Sequence, residues 1–231
     1  MTDNSIITSN PRFERKFSNA ILSTHEVERL VRLHPAIFNE IYSYRGVNNI
    51  YFDSFNYNNY NDNIEGVSDR IKIRIRWYGN LFGKIEKPVL EIKIKNGLLG
   101  KKKSIKIRDF ELNNRTDISQ IIEQINVENT FVNIDFKSLK PTLLNRYTRK
   151  YFQSVDKKYR ITIDYKQEFY QIKSKHNSFL NVRKNDRSVI IELKYDEKYD
   201  EDVSFITSNF PFRLSKSSKY VDGLQRLNLA E

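Results

Sequence analysis

Residues 69–78 read Asp69-Arg70-Ile71-Lys72-Ile73-Arg74-Ile75-Arg76-Trp77-Tyr78, an unbroken alternation of cationic and apolar side chains. A side-chain period of two belongs to a β-strand, so Ile71, Ile73, Ile75 and Trp77 point one way and Arg70, Lys72, Arg74 and Arg76 the other. The apolar file requires a core. The cationic file requires an anion, because residues two apart on a strand lie about 7 Å from each other and four like charges in a row repel. A half-buried strand with a plain solvated face mixes its signs. This one does not, and the pattern anticipates a polyanion.

The whole chain leans the same way: 40 Lys and Arg against 29 Asp and Glu give a net charge of +11, which favours phosphate-rich partners. A length of 231 residues suits one domain spanning residues 1–231, with roughly 70% of the unfolded surface buried. The lack of Cys excludes disulfides and thiolate metal sites, and His25, His34 and His176 lack ligand spacing, which argues against a zinc enzyme. The amino terminus has neither the basic start nor the apolar run of a signal, and no segment approaches the ~20 apolar residues of a membrane span. The expected location is cytoplasmic, with any membrane association made through a partner protein.

Further strands repeat the organising pattern. Arg12 to Phe17 places Phe13 and Phe17 opposite Arg12, Glu14 and Lys16. A helix is expected from Ser23 or Thr24 to about Tyr44, divided by Pro35, then a short strand from Val47 to Asp53 and an Asn/Tyr-rich loop from Asn56 to Asn63. After a turn at Gly79–Gly83, Pro88 to Lys95 sets Leu90, Ile92 and Ile94 opposite Glu91, Lys93 and Lys95. A hairpin through Asn96-Gly97 leads to Lys102, Ser104, Lys106 and Arg108, alternating with Ile105 and Ile107. A short helix is expected over Thr116–Asn126, with a connection from Phe131 to Lys140. Strands follow at Leu144–Phe152, Tyr159–Tyr165 and Ser188–Tyr195, and helices at Phe205–Phe210 and Ser217–Leu227.

About eight strands with one apolar and one charged face, plus amphipathic helices that need a surface to cover, predict an α+β fold. Its centre is a closed antiparallel β-barrel, turned so that helices flank the apolar outside and the charged face lines the lumen. Guanidinium and ammonium groups pointing inward would hold phosphate. Glu14, Glu91 and Glu192 interrupt the basic files. Two roles stay open for them: ion-pair partners, or oxygen ligands of a divalent metal shared with phosphate.

Several short motifs occur in collinear order over nearly the whole chain. They are Arg12-x-Glu14-x-Lys16, Tyr51-Phe52-Asp53, Arg74-x-Arg76-Trp77-Tyr78-Gly79, Glu91-x-Lys93, Tyr147-x-Arg149, Arg160-x-Thr162-x-Asp164, Glu192-x-Lys194 and Ser215-Lys216-x-Ser218-Lys219-Tyr220. Together they resemble the VTC domain, the polyphosphate polymerase branch of the triphosphate tunnel metalloenzymes. The resemblance implies a triphosphate tunnel that works with Mn2+ or Mg2+. Its catalytic wall would comprise Arg74, Arg76, Lys93, Arg149 and Arg160, with Lys16, Tyr147, Lys194, Lys216, Ser218 and Lys219 binding substrate. Glu192 resembles the metal-binding glutamate, with Glu91 and Glu14 as further metal candidates. The sister cyclase and triphosphatase branch begins Glu-x-Glu-x-Lys; Arg12 stands in place of the first Glu, which favours the polymerase-type lumen.

The function expected on this resemblance is transfer of the terminal phosphoryl group of ATP to an inorganic polyphosphate chain. The alternatives are hydrolysis of inorganic or nucleoside triphosphate at the same site, or binding of polyphosphate or nucleotide without turnover, as a sensor. Expected partners are ATP, polyphosphate, and triphosphate or pyrophosphate. Nucleic acid is disfavoured, because the cations alternate along strands among Glu residues rather than lining an exposed helix or an aromatic platform.

Overall fold

The computed structural model describes residues 7–9, 12–96, 99–124 and 134–230. The Gly97 turn, the end of the expected helix at 125–126 and the connection over 131–133 lie outside the described residues. Along the chain run β1 (Ile7–Ser9), β2 (Arg12–Asn19), α1 (Thr24–Arg32), β3 (Asn39–Asp53), α2 (Asn58–Glu65), β4 (Arg70–Tyr78), β5 (Gly83–Ile85), β6 (Val89–Asn96), β7 (Leu99–Lys106) and β8 (Phe110–Leu112). Then come α3 (Ile118–Glu123), β9 (Lys140–Gln153), β10 (Tyr159–Tyr170), β11 (Val182–Asn185), β12 (Val189–Asp196), α4 (Val203–Ser208) and α5 (Lys219–Arg226).

The principal sheet is antiparallel throughout, in the order β1-β7-β6-β4-β3-β9-β10-β12-β2, with β11 added to β10. β5 and β8 form a separate pair. The architecture is therefore α+β, dominated by antiparallel sheet. Among the described residues no sheet closes on itself by hydrogen bonding, which differs from the expected barrel: β1 and β2 are the two ends of the strand order. The sheet nevertheless curls strongly, since Lys93 on β6 reaches Glu14 on β2 at 3.0 Å although those strands are not neighbours in the ladder.

Paired residues share a face, so register divides the sheet cleanly. Arg74 pairs with Tyr51 and Glu91, and Ile73 with Phe52 and Ile92. On the apolar face two clusters are buried. One joins β4, β6, β7 and α3 through Ile73, Ile75, Trp77, Leu90, Ile92, Ile105, Ile118 and Ile122. The other joins β10 and β12 to Val27 and Val31 of α1 and Val203 and Ile206 of α4. Each such side chain taken fully from water contributes roughly 1.5–3 kcal/mol. A third cluster sets Tyr220 and Leu224 of α5 against Tyr51, Leu143 and Phe169. Tyr51 and Leu143 pair on the charged side of the sheet, so α5 packs within the concave face.

Two stretches fold differently from the sequence expectation. α1 stops at Arg32, and from Asn39 the chain is strand, with Asn39 and Glu40 paired to Gln153 and Phe152. The capping box of Ser23 and Glu26 starts the helix, and Pro35 with Ile37 at φ 51° breaks it. β3 then runs on to Asp53, with register shifts between Glu40 and Tyr42 and between Tyr42 and Arg45. The Asn/Tyr-rich segment is a helix, α2, although its sequence has no apolar stripe. The carboxylate of Asp53 accepts from the backbone N–H groups of Asn59 and Tyr60 at 3.0 Å each, so the end of β3 caps it from outside the helix.

Candidate functional site: a charged lumen

The concave face collects its ionisable groups around four carboxylates. Glu91 accepts two guanidinium hydrogen bonds from Arg74, at 2.8 and 2.6 Å, and one from Lys102 at 2.9 Å. Arg76 lies 3.4 Å away and is itself aligned by Asn49 Oδ1 (2.9 Å) and Tyr147 Oη (3.2 Å). Asn49 in turn donates to Asn145 at 2.9 Å, so the arginine stands on a buried amide pair. Glu192 meets Lys194 at 3.1 Å, Arg149 at 3.2 Å and Lys16 at 3.4 Å. Lys16 also reaches Glu14 at 3.3 Å.

Asp164, fully buried on β10, accepts from Arg149 at 2.5 and 2.6 Å and from Lys219 at 2.6 Å. Lys219 is the first residue of α5, and its ammonium sits 4.6 Å above the Tyr147 ring, which Arg149 approaches from 5.3 Å. Helix α5 can lie this deep because residue 223 is Gly: a Cβ there would stand 2.5 Å from Leu143 Cδ2 and 2.6 Å from Phe169 Cδ1. Its N-cap is Ser218.

Burial alone would neutralise these acids, but the cations prevail. Burial and then Glu192 push Glu14 up, yet Lys16, Lys194 and Lys93 hold it well below the carboxylate range. For Glu91, Arg74, Arg76 and Lys102 outweigh burial. For Glu192, Lys194, Lys16 and Arg149 do so, and for Asp164 the same is true of Arg149 and Lys219. All four stay ionised. Facing them are Lys16, Lys72, Arg74, Arg76, Lys93, Lys102, Arg149, Lys194 and Lys219, so cations outnumber carboxylates by about two to one. Donors in excess over fixed acids give the lumen the chemistry that suits a multiply charged anion.

Of the residues singled out from sequence, Lys16, Arg74, Arg76, Lys93, Tyr147, Arg149, Lys194, Ser218 and Lys219 converge here with Glu14, Glu91 and Glu192. Arg160 and Lys216 are exposed. Arg160 lines a cavity of about 340 Å³ together with Arg12, Tyr42, Arg149, Tyr151 and Lys194. Sequence reasoning put Lys72 and Lys102 on basic strand faces but named neither of them, nor Asp164, as a site residue. Lys72 lay in the organising alternation and Asp164 in a quoted motif, so the signal was present; Asn49 and Asn145 carried none.

The chain belongs to the VTC domain family, whose model matches residues 12–228. No curated protein matches it in sequence. Its fold is similar to that of a candidate adenylyl cyclase from Hippeastrum described as having a dominant triphosphatase activity. That structure aligns with a TM-score of 0.51 and 16% identity over 94% of this chain and 96% of the other. A candidate adenylate cyclase from Bacillus halodurans aligns with a TM-score of 0.52 and 13% identity over 95% and 97%. No helix among the described residues is long and apolar enough to cross a membrane.

The donor set bears on the divalent ion implied by the resemblance to tunnel metalloenzymes. Among the described residues no three Asp, Glu, His or Cys side chains group as a cage. Glu14 and Glu192 are ionised, adjacent and joined through Lys16. One or two carboxylates suit an ion such as Mg2+ that keeps its remaining positions for water and phosphate oxygen. Glu91 and Glu192 are each engaged by three cations, and Glu14 by two. The adjacent carboxylates of Glu192 and Glu14 are the donors that an ion arriving with phosphate would use.

Proposed function

We propose that this protein is a polyphosphate polymerase, transferring the terminal phosphoryl group of ATP to a growing polyphosphate chain. The observation that carries this reading is the lumen of a VTC-family chain in which Arg74, Arg76, Lys93, Arg149, Lys194 and Lys219 converge around ionised acids. In this reading residues 1–231 act as one unit, and the curled sheet encloses the substrate as a tunnel, with the Lys93–Glu14 pair bridging strands that share no ladder.

Phosphoryl transfer has a loose transition state with its charge on the nonbridging oxygens, so catalysis is chiefly positioning and charge stabilisation. Arg74 and Arg76 present guanidinium forks from one side and Arg149 from another. Lys16 and Lys219 add ammonium groups, and Arg160 and Lys216, exposed at the margins, guide the chain. Tyr147 holds Arg76 and underlies Arg149 and Lys219. A Mn2+ or Mg2+ ion held by Glu192 and Glu14 would neutralise phosphate oxygens when bound.

Incubation of the protein with ATP and Mn2+, followed by polyphosphate-stained gel electrophoresis, tests the proposal. A ladder of chains is expected. Orthophosphate alone would replace the polymerase by the triphosphatase described for the Hippeastrum protein, and ATP bound but unchanged would leave a sensor. Glu192→Gln separates metal from ion-pair roles. It should abolish metal-dependent turnover yet keep tripolyphosphate binding in chelator, because the amide retains size but loses the charge a hard cation needs. Wild-type turnover with an unchanged Mn2+ requirement would remove Glu192 from the metal site.

A further inference from the structure

Lys72 differs from its neighbours in the lumen. Lys16, Arg74, Arg76, Lys93, Lys102 and Lys219 each touch a carboxylate. Lys72 touches none among the described residues. Its ammonium donates to Ser218 Oγ at 3.0 Å. That hydroxyl also caps α5, accepting from Val221 N–H at 3.5 Å. Alongside, Lys16 donates to the Ser217 carbonyl at 3.1 Å. Two ammonium groups from two strands thus hold the turn into α5 through neutral oxygens.

The charges around Lys72 are of one sign. On its own strand stand Arg70 and Arg74, across β6 its register partner Lys93, and from β2 comes Lys16. The acids on the same strands are already engaged: Glu14 by Lys16 and Lys93, and Glu91 by Arg74, Arg76 and Lys102. From β3, Tyr51 faces Arg74 and the Asp53 carboxylate is bonded to Tyr220. An anion placed between Lys72 and Ser218 would meet donors, and the nearest carboxylate, Glu14, is already held by Lys93 at 3.0 Å and Lys16 at 3.3 Å.

We propose that Lys72 is a phosphate ligand that completes its charge with the substrate, exchanging the Ser218 hydroxyl for a phosphate oxygen of a chain lying in the lumen. The proposal rests on the polyphosphate reading above but adds a residue outside the motifs that carry it. It has a proton signature. Burial, then Lys16, Lys93, Arg70 and Arg74, hold the Lys72 ammonium well below the usual lysine range. An arriving phosphate reverses that field, so binding should draw a proton onto Lys72. Affinity then weakens as pH rises through the depressed range toward the ordinary lysine value of about 10.4.

Titration calorimetry of the full chain with sodium tripolyphosphate and chelator, in buffers of different ionisation enthalpy between pH 7 and 9.5, tests this. Lys72→Gln should melt no lower than wild type, bind tripolyphosphate about tenfold more weakly, as loss of a charged hydrogen bond implies, and lose part of the proton uptake. Lys72→Arg should keep most of the affinity without the uptake. Unchanged affinity in Lys72→Gln overturns the proposal. Weaker binding with unchanged proton uptake also overturns it, since the loss would then come from a displaced α5. If wild type binds no tripolyphosphate, the polyphosphate reading itself fails. If wild type binds and Arg74→Ala does not, while Lys72→Gln binds normally, only the Lys72 assignment fails.

Discussion

On β4, Ile73, Ile75 and Trp77 are buried in a cluster that extends to α3, whereas Lys72, Arg74 and Arg76, each one residue away, face a lumen of ions. The backbone is the same and the environments are opposite. The apolar side is stabilised by exclusion of water and tolerates changes of shape better than changes of charge. The charged side is held by mutual compensation, and its cations exceed its acids. One face keeps the fold, and the other carries an excess of positive charge that the proposed anionic ligand would offset.

The largest effect should come from moving charge to the wrong face. Ile75→Asp puts a carboxylate into a fully buried position within an apolar cluster. The cost of several kcal/mol is comparable to the whole stability of a domain, about 5–15 kcal/mol, and loss of the cooperative transition in circular dichroism is the expected result. A soluble variant with wild-type melting would show that β4 is not packed as described.

Next in size is a break within the lumen. Asp164→Asn leaves Arg149 and Lys219 without their shared acid at a site with no solvent access. Removing one partner of a buried pair costs about 3–5 kcal/mol, measurable by urea denaturation, and added tripolyphosphate should recover more stability in the variant than in wild type. The four acids also set an acid limit. Their folded pKa values are depressed, so they bind fewer protons folded than unfolded, and stability should fall as pH drops below their ordinary values near 4. A flat denaturation midpoint from pH 5 to pH 2.5 would contradict the described ion pairs.

Arg74→Ala should be milder for the fold, because Glu91 retains Arg76 and Lys102. It should lower tripolyphosphate affinity by roughly 1.5–3 kcal/mol, the worth of a charged hydrogen bond. Equal affinity in a folded variant would exclude Arg74 from the binding wall.

The two faces were legible in the sequence to different degrees. The period of two in 70–78 and 89–95 places every side chain on its face without knowledge of the neighbours, and the collinear motifs pointed to most of the lumen. Pairing was not legible. That Asp164 would anchor both Arg149 and Lys219 depends on β9, β10 and α5 meeting, contacts separated by 15 and 55 residues along the chain. Helix α2 escaped for the same reason, since its cap is Asp53, outside the helix. The strand at Asn39–Tyr44 escaped because Ile37, Phe38 and Ile41 continue the helical stripe in sequence, although α1 stops at Arg32 and Pro35 with the positive φ at Ile37 keeps it from resuming. Closure of the sheet depends on long-range pairing, which the local alternation of β1 and β2 does not encode.

The smallest expected effect marks where the charged face ends. Arg12 continues the file of Glu14 and Lys16 on β2, yet it pairs with Asp196 at 3.2 Å with both side chains about half exposed, at 48% and 49%. A pair in that setting is solvated and screened, and contributes about 0–1 kcal/mol. It also lines the cavity that Arg160 and Lys194 share. In the proposed reading tripolyphosphate would span only the lumen donors, so Arg12→Ala should leave its affinity and the melting temperature within error of wild type. A long polyphosphate reaching past Arg149 would meet Arg12 at the rim, and there the same variant should weaken binding modestly, more so at low salt because exposed charges interact over a Debye length of about 10 Å at 0.1 M. Equal effects on short and long chains would place Arg12 inside the binding wall and extend the ligand-dependent face to the start of β2. No effect on either would end that face at Glu14.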